Sequence, residues 1–183
     1  MKYFEIYDSG GTVRSDDTWH EQVYLPTTFQ PCHCPLRHGV YPIANVVLER
    51  GEVIRGAING IWWTCIRCCR LDVLDAMHRM GMKFIEGTVT TSRGASRAYR
   101  SIIPTFDCLV QRRWGDQKLK TCTCGWIYPE AEMSKGEKIY FRRDEIGSRL
   151  AFADENGGGY YFREDLVPEI ERLGIKLAEI KVV

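Results

Sequence analysis

No run of residues in this sequence is apolar for long enough to cross a bilayer, and MKYFEIYDSGG at the start carries charges at positions 2, 5 and 8 rather than the core of a secretory signal. An excess of one charge is missing too. Twenty-five Lys and Arg face 24 Asp and Glu, and a net charge of +1 removes the overall basicity of a general nucleic-acid binder. Phosphate loop, nucleophile elbow and HExxH are all absent, so a catalytic role is not expected. Disorder is not indicated either, because apolar residues make up 44% of the chain and charged residues 27%.

What remains is an ordinary globular composition, and 183 residues suit a single domain over 1–183. A chain with no export signal and no spanning segment is expected in the cytoplasm. In that reducing compartment its eight cysteines do not count as four disulfides, so some should be buried thiols or metal ligands.

Sliding the sequence by 93 residues brings DVLDAMHRMGMKFIEGTV, from Asp72, over DLVPEIERLGIKLAEIKV, from Asp165. Asp72, Arg79, Gly81, Lys83, Glu86 and Val89 fall on Asp165, Arg172, Gly174, Lys176, Glu179 and Val182. Val73, Leu74, Met77 and Met80 match Leu166, Val167, Ile170 and Leu173, the spacing of one helical face. Each copy places an Asp where an N-cap would stand and a Gly where a left-handed cap would end the helix. Pro168 falls in the first turn, where a missing N–H is harmless.

The repeat (72–89 and 165–182) predicts two strand–helix–strand units, at about 61–89 and 157–182, with IWWTCIRCC and GGGYYF as the entering strands. KYFEIY, QVYLPTTF, FDCLVQRRW and KIYFRR read as further strands, IANVVLERGEVIRG as a hairpin about Arg50-Gly51, and 91–101 and 156–159 as exposed loops. The expected class is α+β, mostly short strands around the two units, with a pair of zinc knuckles.

Offset by 93, Cys65, Cys68 and Cys69 lie over Gly158, Tyr161 and Phe162, in a packed strand, so these cysteines are expected as buried thiols, and Cys108 likewise. Cys32 and Cys34, flanked by Pro31 and Pro35, and Cys122 and Cys124, followed by Gly125, stand in turn contexts. Four thiolates in two pairs suit one closed, structural Zn2+ site joining distant parts of the chain. His38 or His33 can replace one thiolate, and reduced thiols or a Cys34–Cys124 disulfide are the alternatives. His20, among Asp16, Asp17 and Glu21, is expected in a solvated acidic loop, and His78 on a partly exposed helix face.

At these residues the chain resembles the double-CXXCG family, first noted as a paralogous set in myxobacteria. MKYFEI, CHCP with the following Tyr41-Pro42, RMGMKFIEG, TCTCG, and IYFRRDEIG running to RLGIKLAEIKVV carry the likeness. Each cysteine pair has one residue fewer between its members than the family pattern, and the first lacks the following glycine. The resemblance implies an immunity protein, an antitoxin of bacterial competition, that stays in the cytoplasm and neutralises a cognate polymorphic toxin by occlusion. Carried over residue by residue, it implies metal ligation by Cys32, Cys34, Cys122 and Cys124.

Nucleic acid is the alternative partner. Arg93, Arg97, Arg100, Arg112, Arg113, Lys118 and Lys120 stand against only Asp107 and Asp116, with Tyr99 and Trp114 interleaved. A solvated loop and outer strand face explain the same residues more simply. Trp62-Trp63 and Tyr160-Tyr161 can anchor a protein partner, although strand alternation should bury one residue of each pair.

Overall fold

The computed structural model describes residues 1–8, 10–15, 24–26, 40–42, 45–61, 66–114, 119–121, 127–129, 139–154 and 159–183. In chain order the elements begin with β1 (Tyr3–Asp8), β2 (Thr12–Val13), β3 (Tyr24–Pro26), β4 (Val40–Pro42), β5 (Val46–Val47), β6 (Ile58–Ile61) and β7 (Arg67–Arg70). Then come α1 (Leu71–Arg79), β8 (Phe84–Thr91), β9 (Gly94–Pro104), β10 (Leu109–Val110), β11 (Arg113–Trp114), β12 (Leu119–Thr121) and β13 (Ile127–Pro129). The chain ends with β14 (Ile139–Tyr140), α2 (Arg143–Ile146), β15 (Ala151–Asp154), β16 (Tyr160–Arg163), α3 (Val167–Arg172) and β17 (Lys176–Glu179). This is an α+β fold with more strand than helix, and among the described residues no helix is long and apolar enough to cross a membrane.

The repeat is architectural and reaches further back than its sequence signature. Shifted by 93 residues, β6 and β7 fall on β15 and β16, and α1 falls on the 3-10 turn Glu164–Leu166 plus α3. Strand register is kept residue for residue: Ile58 faces Cys69 as Ala151 faces Phe162, and Gly60 faces Arg67 as Ala153 faces Tyr160. Each helix then leads to a strand that leaves room for one antiparallel strand between. In the six-stranded sheet (β2-β6-β7-β9-β8-β5) the inserted strand is β9, and in the five-stranded sheet (β10-β15-β16-β1-β17) it is β1. Tyr99 on β9 donates its hydroxyl to Gly56 O, and Tyr3 on β1 donates to Arg149 O, equivalent tyrosines locking equivalent corners.

Helix α1 forms as its periodicity dictates, with Val73, Leu74, Ala76 and Met77 buried and Asp72, Asp75, His78 and Arg79 outward. It ends in a Schellman turn: Gly81 N–H reaches His78 O (2.9 Å), Met82 N–H reaches Met77 O (3.1 Å), and Gly81 takes φ +87°. Gly174 takes φ +80° at the matching place. The Asp residues are not N-caps, however. Arg70 and Arg163 hold that position, and Asp72 and Asp165 turn back in bidentate pairs onto them. Arg142 and Asp144 repeat this pairing at the start of α2. A carboxylate in each first turn thereby offsets a guanidinium that would otherwise oppose the helix dipole.

The six-stranded sheet closes on itself. Ser15, just past β2, bridges Leu48, just past β5, and Glu49 N–H donates to Arg14 O at 3.2 Å. The result is a small barrel with no open outer strand at that seam. Val13, Val46, Leu48, Ile61, Ile66, Cys68, Val89 and Ile103 fill its interior. On its outside, Ile58, Cys69 and Ile102 join the buried face of α1, Ile170 of α3, and Ala151, Ala153, Tyr160 and Phe162 of the other sheet in the main core. Arg70 Nη2 to Leu173 O (2.9 Å) and Arg79 to Glu169 (3.0 Å) tie one repeat to the other. The far face of the five-stranded sheet is covered by Phe141 and Ile146 over Tyr3, Phe152 and Tyr161.

Several expectations change. Residues 61–69 are not one strand, since β6 and β7 pair antiparallel and the chain reverses between them. The Arg50-Gly51 turn exists, with Gly51 at φ +96°, but makes no hairpin: β5 pairs parallel with β8. The predicted loop at 91–101 is mostly β9, because Thr88, Thr90 and Thr91 on β8 provide a β-branched partner for its small residues. Of the 156–159 loop, only Gly159 is among the described residues.

Candidate functional site

The four cysteines of the expected zinc site lie outside the described residues, as do His20, His33, His38, Cys65, Trp62 and Trp63. The strands that bracket the cysteines are described. Cys32 and Cys34 fall in the 27–39 connection between β3 and β4, which pair antiparallel from Pro26–Val40 to Tyr24–Pro42. Cys122 and Cys124 fall in the five-residue connection between β12 and β13, where Thr121 faces Ile127. Each CxC pair therefore belongs to the connection of its own two-stranded ribbon, where soft donors close in sequence suit a zinc ligand set.

Among the described residues, Cys68, Cys69 and Cys108 are packing residues. Cys68 and Cys69 are fully buried on opposite faces of β7, one inside the barrel and one in the main core. Burial pushes the Cys68 thiol up to about 12 and raises Cys69 as well, so both stay protonated and unreactive at neutral pH. Cys108 is buried and accepts a bond from Lys83 N–H at 3.1 Å.

The basic segment divides. Arg93 and Arg97 are exposed on the β8–β9 hairpin and Arg100 is half-buried there. Arg112 lies 3.7 Å from Asp154, and Arg113 is buried in an ion pair with Glu145. The last two are committed to carboxylates and do not extend a phosphate-following stripe. The side chains of Lys118, Lys120 and Trp114 are outside the described set.

Tyr160 and Tyr161 are both buried, against the expectation of one. Strand β16 has a core on each face: Tyr160 meets Phe84 edge-on at 6.0 Å, while Tyr161 stacks on Phe152 at 5.0 Å. Neither is a surface anchor. His78 is exposed, bonded to Met82 O and Glu86 in a local tie.

Sequence reasoning missed one polar cluster. The Tyr161 hydroxyl lies 3.2 Å from Glu5 Oε1 and 3.4 Å from Asp154 Oδ2, and Asp154 Oδ2 also accepts from Gly159 N–H at 3.1 Å. A Cβ on Gly159 would collide with this hydroxyl and carboxylate. The cluster draws on β1, β15, β16 and the segment after β10, so no local pattern announces it.

Burial raises the Glu5 carboxyl above its ordinary value; Tyr161 and Arg112 pull it down less strongly. An acid raised in the fold is disfavoured in its charged form, and that cost is complete only above the raised value. Glu5→Gln keeps an acceptor for Tyr161 and removes the charge. Its unfolding free energy should exceed that of the unsubstituted protein at pH 7, with the gain fading as pH falls toward 4.5, the unperturbed value. Urea titrations across that range showing no gain, or one that grows in acid, would refute this account.

No protein-family model matches the chain, and no curated protein matches it significantly.

Proposed function

We propose that this chain is a single-domain immunity protein, residues 1–183, that binds a cognate antibacterial toxin inside the producing cell and neutralises it by occlusion. Cys32, Cys34, Cys122 and Cys124 hold a structural Zn2+ ion. The observation that carries the proposal is the position of both cysteine pairs, each on the connection of a separate two-stranded ribbon, within the motif pattern that resembles the double-CXXCG family. The metal would supply a fixed cross-link and no chemistry, because four protein ligands leave no open coordination position. A cross-linked body with three packed cores lowers the ordering cost of binding, which suits tight occlusion.

Co-expression with the toxin domain encoded by the neighbouring gene should protect cells. The two purified chains should form a stable complex from which the toxin is recovered with its mass unchanged. Unprotected cells together with no complex would sink the proposal. Protection with a covalently altered toxin would replace occlusion with enzymatic inactivation.

A further inference from the structure

The two halves share one frame but differ in one appendage. Strand β8 runs eight residues where its counterpart β17 runs four, and with β9 it forms an arm beyond the end of β7. From Gly87 to Pro104 the sequence holds Arg93, Arg97 and Arg100 and no Asp or Glu. Among the described residues none of these three makes an ion pair, whereas Arg70, Arg79, Arg112, Arg113, Arg142 and Arg163 all meet carboxylates. Gly94, Ala95, Ser96 and Ala98 between them are too small to cover the guanidinium groups.

The arm is braced at its base, where side chains occupy part of the outer backbone of β9. Register with β7 stops at Arg70–Tyr99, so Gly94 and Ala95 pair only with β8, and residues 96–99 form a bulge opposite Val89. An open edge of this kind invites another strand. Here part of the backbone is occupied: Ser96 Oγ accepts from Ala98 N–H (3.3 Å) and Tyr99 N–H (3.2 Å), and Arg100 Nη1 donates to Tyr99 O (3.2 Å). The Tyr99 hydroxyl holds Gly56 O at 2.8 Å, which brings exposed Arg55 beside the base.

We infer that this arm is a docking surface for a carboxylate-rich face of the protein partner, read by Arg93, Arg97 and Arg100 with Arg55 at the margin. The inference rests on the immunity proposal for the partner being a protein. Carboxylates take guanidinium groups in bidentate pairs, and arginines carried on an ordered hairpin need little backbone ordering to form them. Nucleic acid fits less well. Three or four charges neutralise few phosphates, and Tyr99, bonded to Gly56 and packed toward the barrel core, is not free to stack a base.

Poly-L-glutamate titrated into the isotope-labelled full chain at low salt should shift amide signals of 91–100 and 55–56. Affinity should fall about tenfold or more in R93E/R97E and by a smaller factor in R93K/R97K, which keeps the charge but loses the bidentate fork. Shifts that avoid the arm, or survive charge reversal, would overturn the inference. So would tighter binding of a single-stranded oligonucleotide at the same residues. With the neighbouring toxin domain, R93E/R97E should lose a similar factor. Undiminished toxin affinity would refute the arm and leave the immunity proposal standing. Failure of the unsubstituted chain to bind toxin would refute immunity, while the polyglutamate map still decides the arm.

Discussion

Phe152→Ala should destabilise the protein by about 3–5 kcal/mol, a large part of the roughly 5–15 kcal/mol that holds a typical domain together. Phe152 is fully buried at the centre of the core on the far face of the five-stranded sheet, edge-on to Phe141 at 5.1 Å and Tyr3 at 5.5 Å and stacked on Tyr161 at 5.0 Å. Truncation leaves a cavity bounded by rings fixed elsewhere, since Tyr3 is bonded to Arg149 and Tyr161 lies between Glu5 and Asp154. Such a site collapses poorly, so the loss belongs at the high end of the range. Urea unfolding should show a lower midpoint at unchanged slope. A loss under about 1 kcal/mol would mean that the rings repack.

The first half shows why that position is aromatic. Its counterpart to Phe152 is Asn59, and its counterpart to Tyr161 is Cys68, paired in the same register. In the first half this face of the hairpin turns into a closed six-stranded barrel, narrow enough for Val, Ile, Leu and Cys to fill. In the second half the same face lies under Phe141 and α2 without closing, and large rings fill the wider gap. One backbone frame carries two fillings because closure decides the volume available.

Helices α1 and α3 were legible because their signals are local: a 3.6-residue apolar period, a glycine past the end and a proline in the first turn. Equivalence of Tyr3 and Tyr99 was hidden, since β9 follows its helix while the inserted strand of the second half is β1. No constant shift aligns both. The Asp cap was misjudged for want of one more step upstream, where Arg70, Arg142 and Arg163 stand two residues before Asp72, Asp144 and Asp165. The same look would have exposed a third Arg-x-Asp entry. Burial of both Tyr160 and Tyr161 depends on which sheet faces are covered, a tertiary fact absent from strand alternation. Of the candidate site, the placement of each cysteine pair between two strands was partly readable from its turn residues. The Glu5–Asp154–Tyr161 cluster was not.

Removing zinc should have an effect of comparable size. Purified protein is expected to carry about one zinc per chain, and a strong chelator should lower its stability by about 4 kcal/mol where free zinc had exceeded its dissociation constant a thousandfold. Structural zinc adds directly to folding free energy, because the ligand set is assembled only in the folded chain. Cys32→Ser or Cys122→Ser should reproduce most of that loss and lower the metal content. Cys68→Ser should leave zinc in place, since that thiol is sealed inside the barrel and held protonated. Acid should release the metal as the thiolates protonate. The alternatives leave different signatures. A Cys34–Cys124 disulfide would make stability sensitive to reductant and indifferent to chelator, and free thiols would make it indifferent to both. Substitution of His38 or His33 that empties the site while one cysteine substitution does not would transfer a ligand from sulfur to imidazole. Metal-free protein with full stability in chelator would remove zinc from the proposal and leave the ribbons without their cross-link.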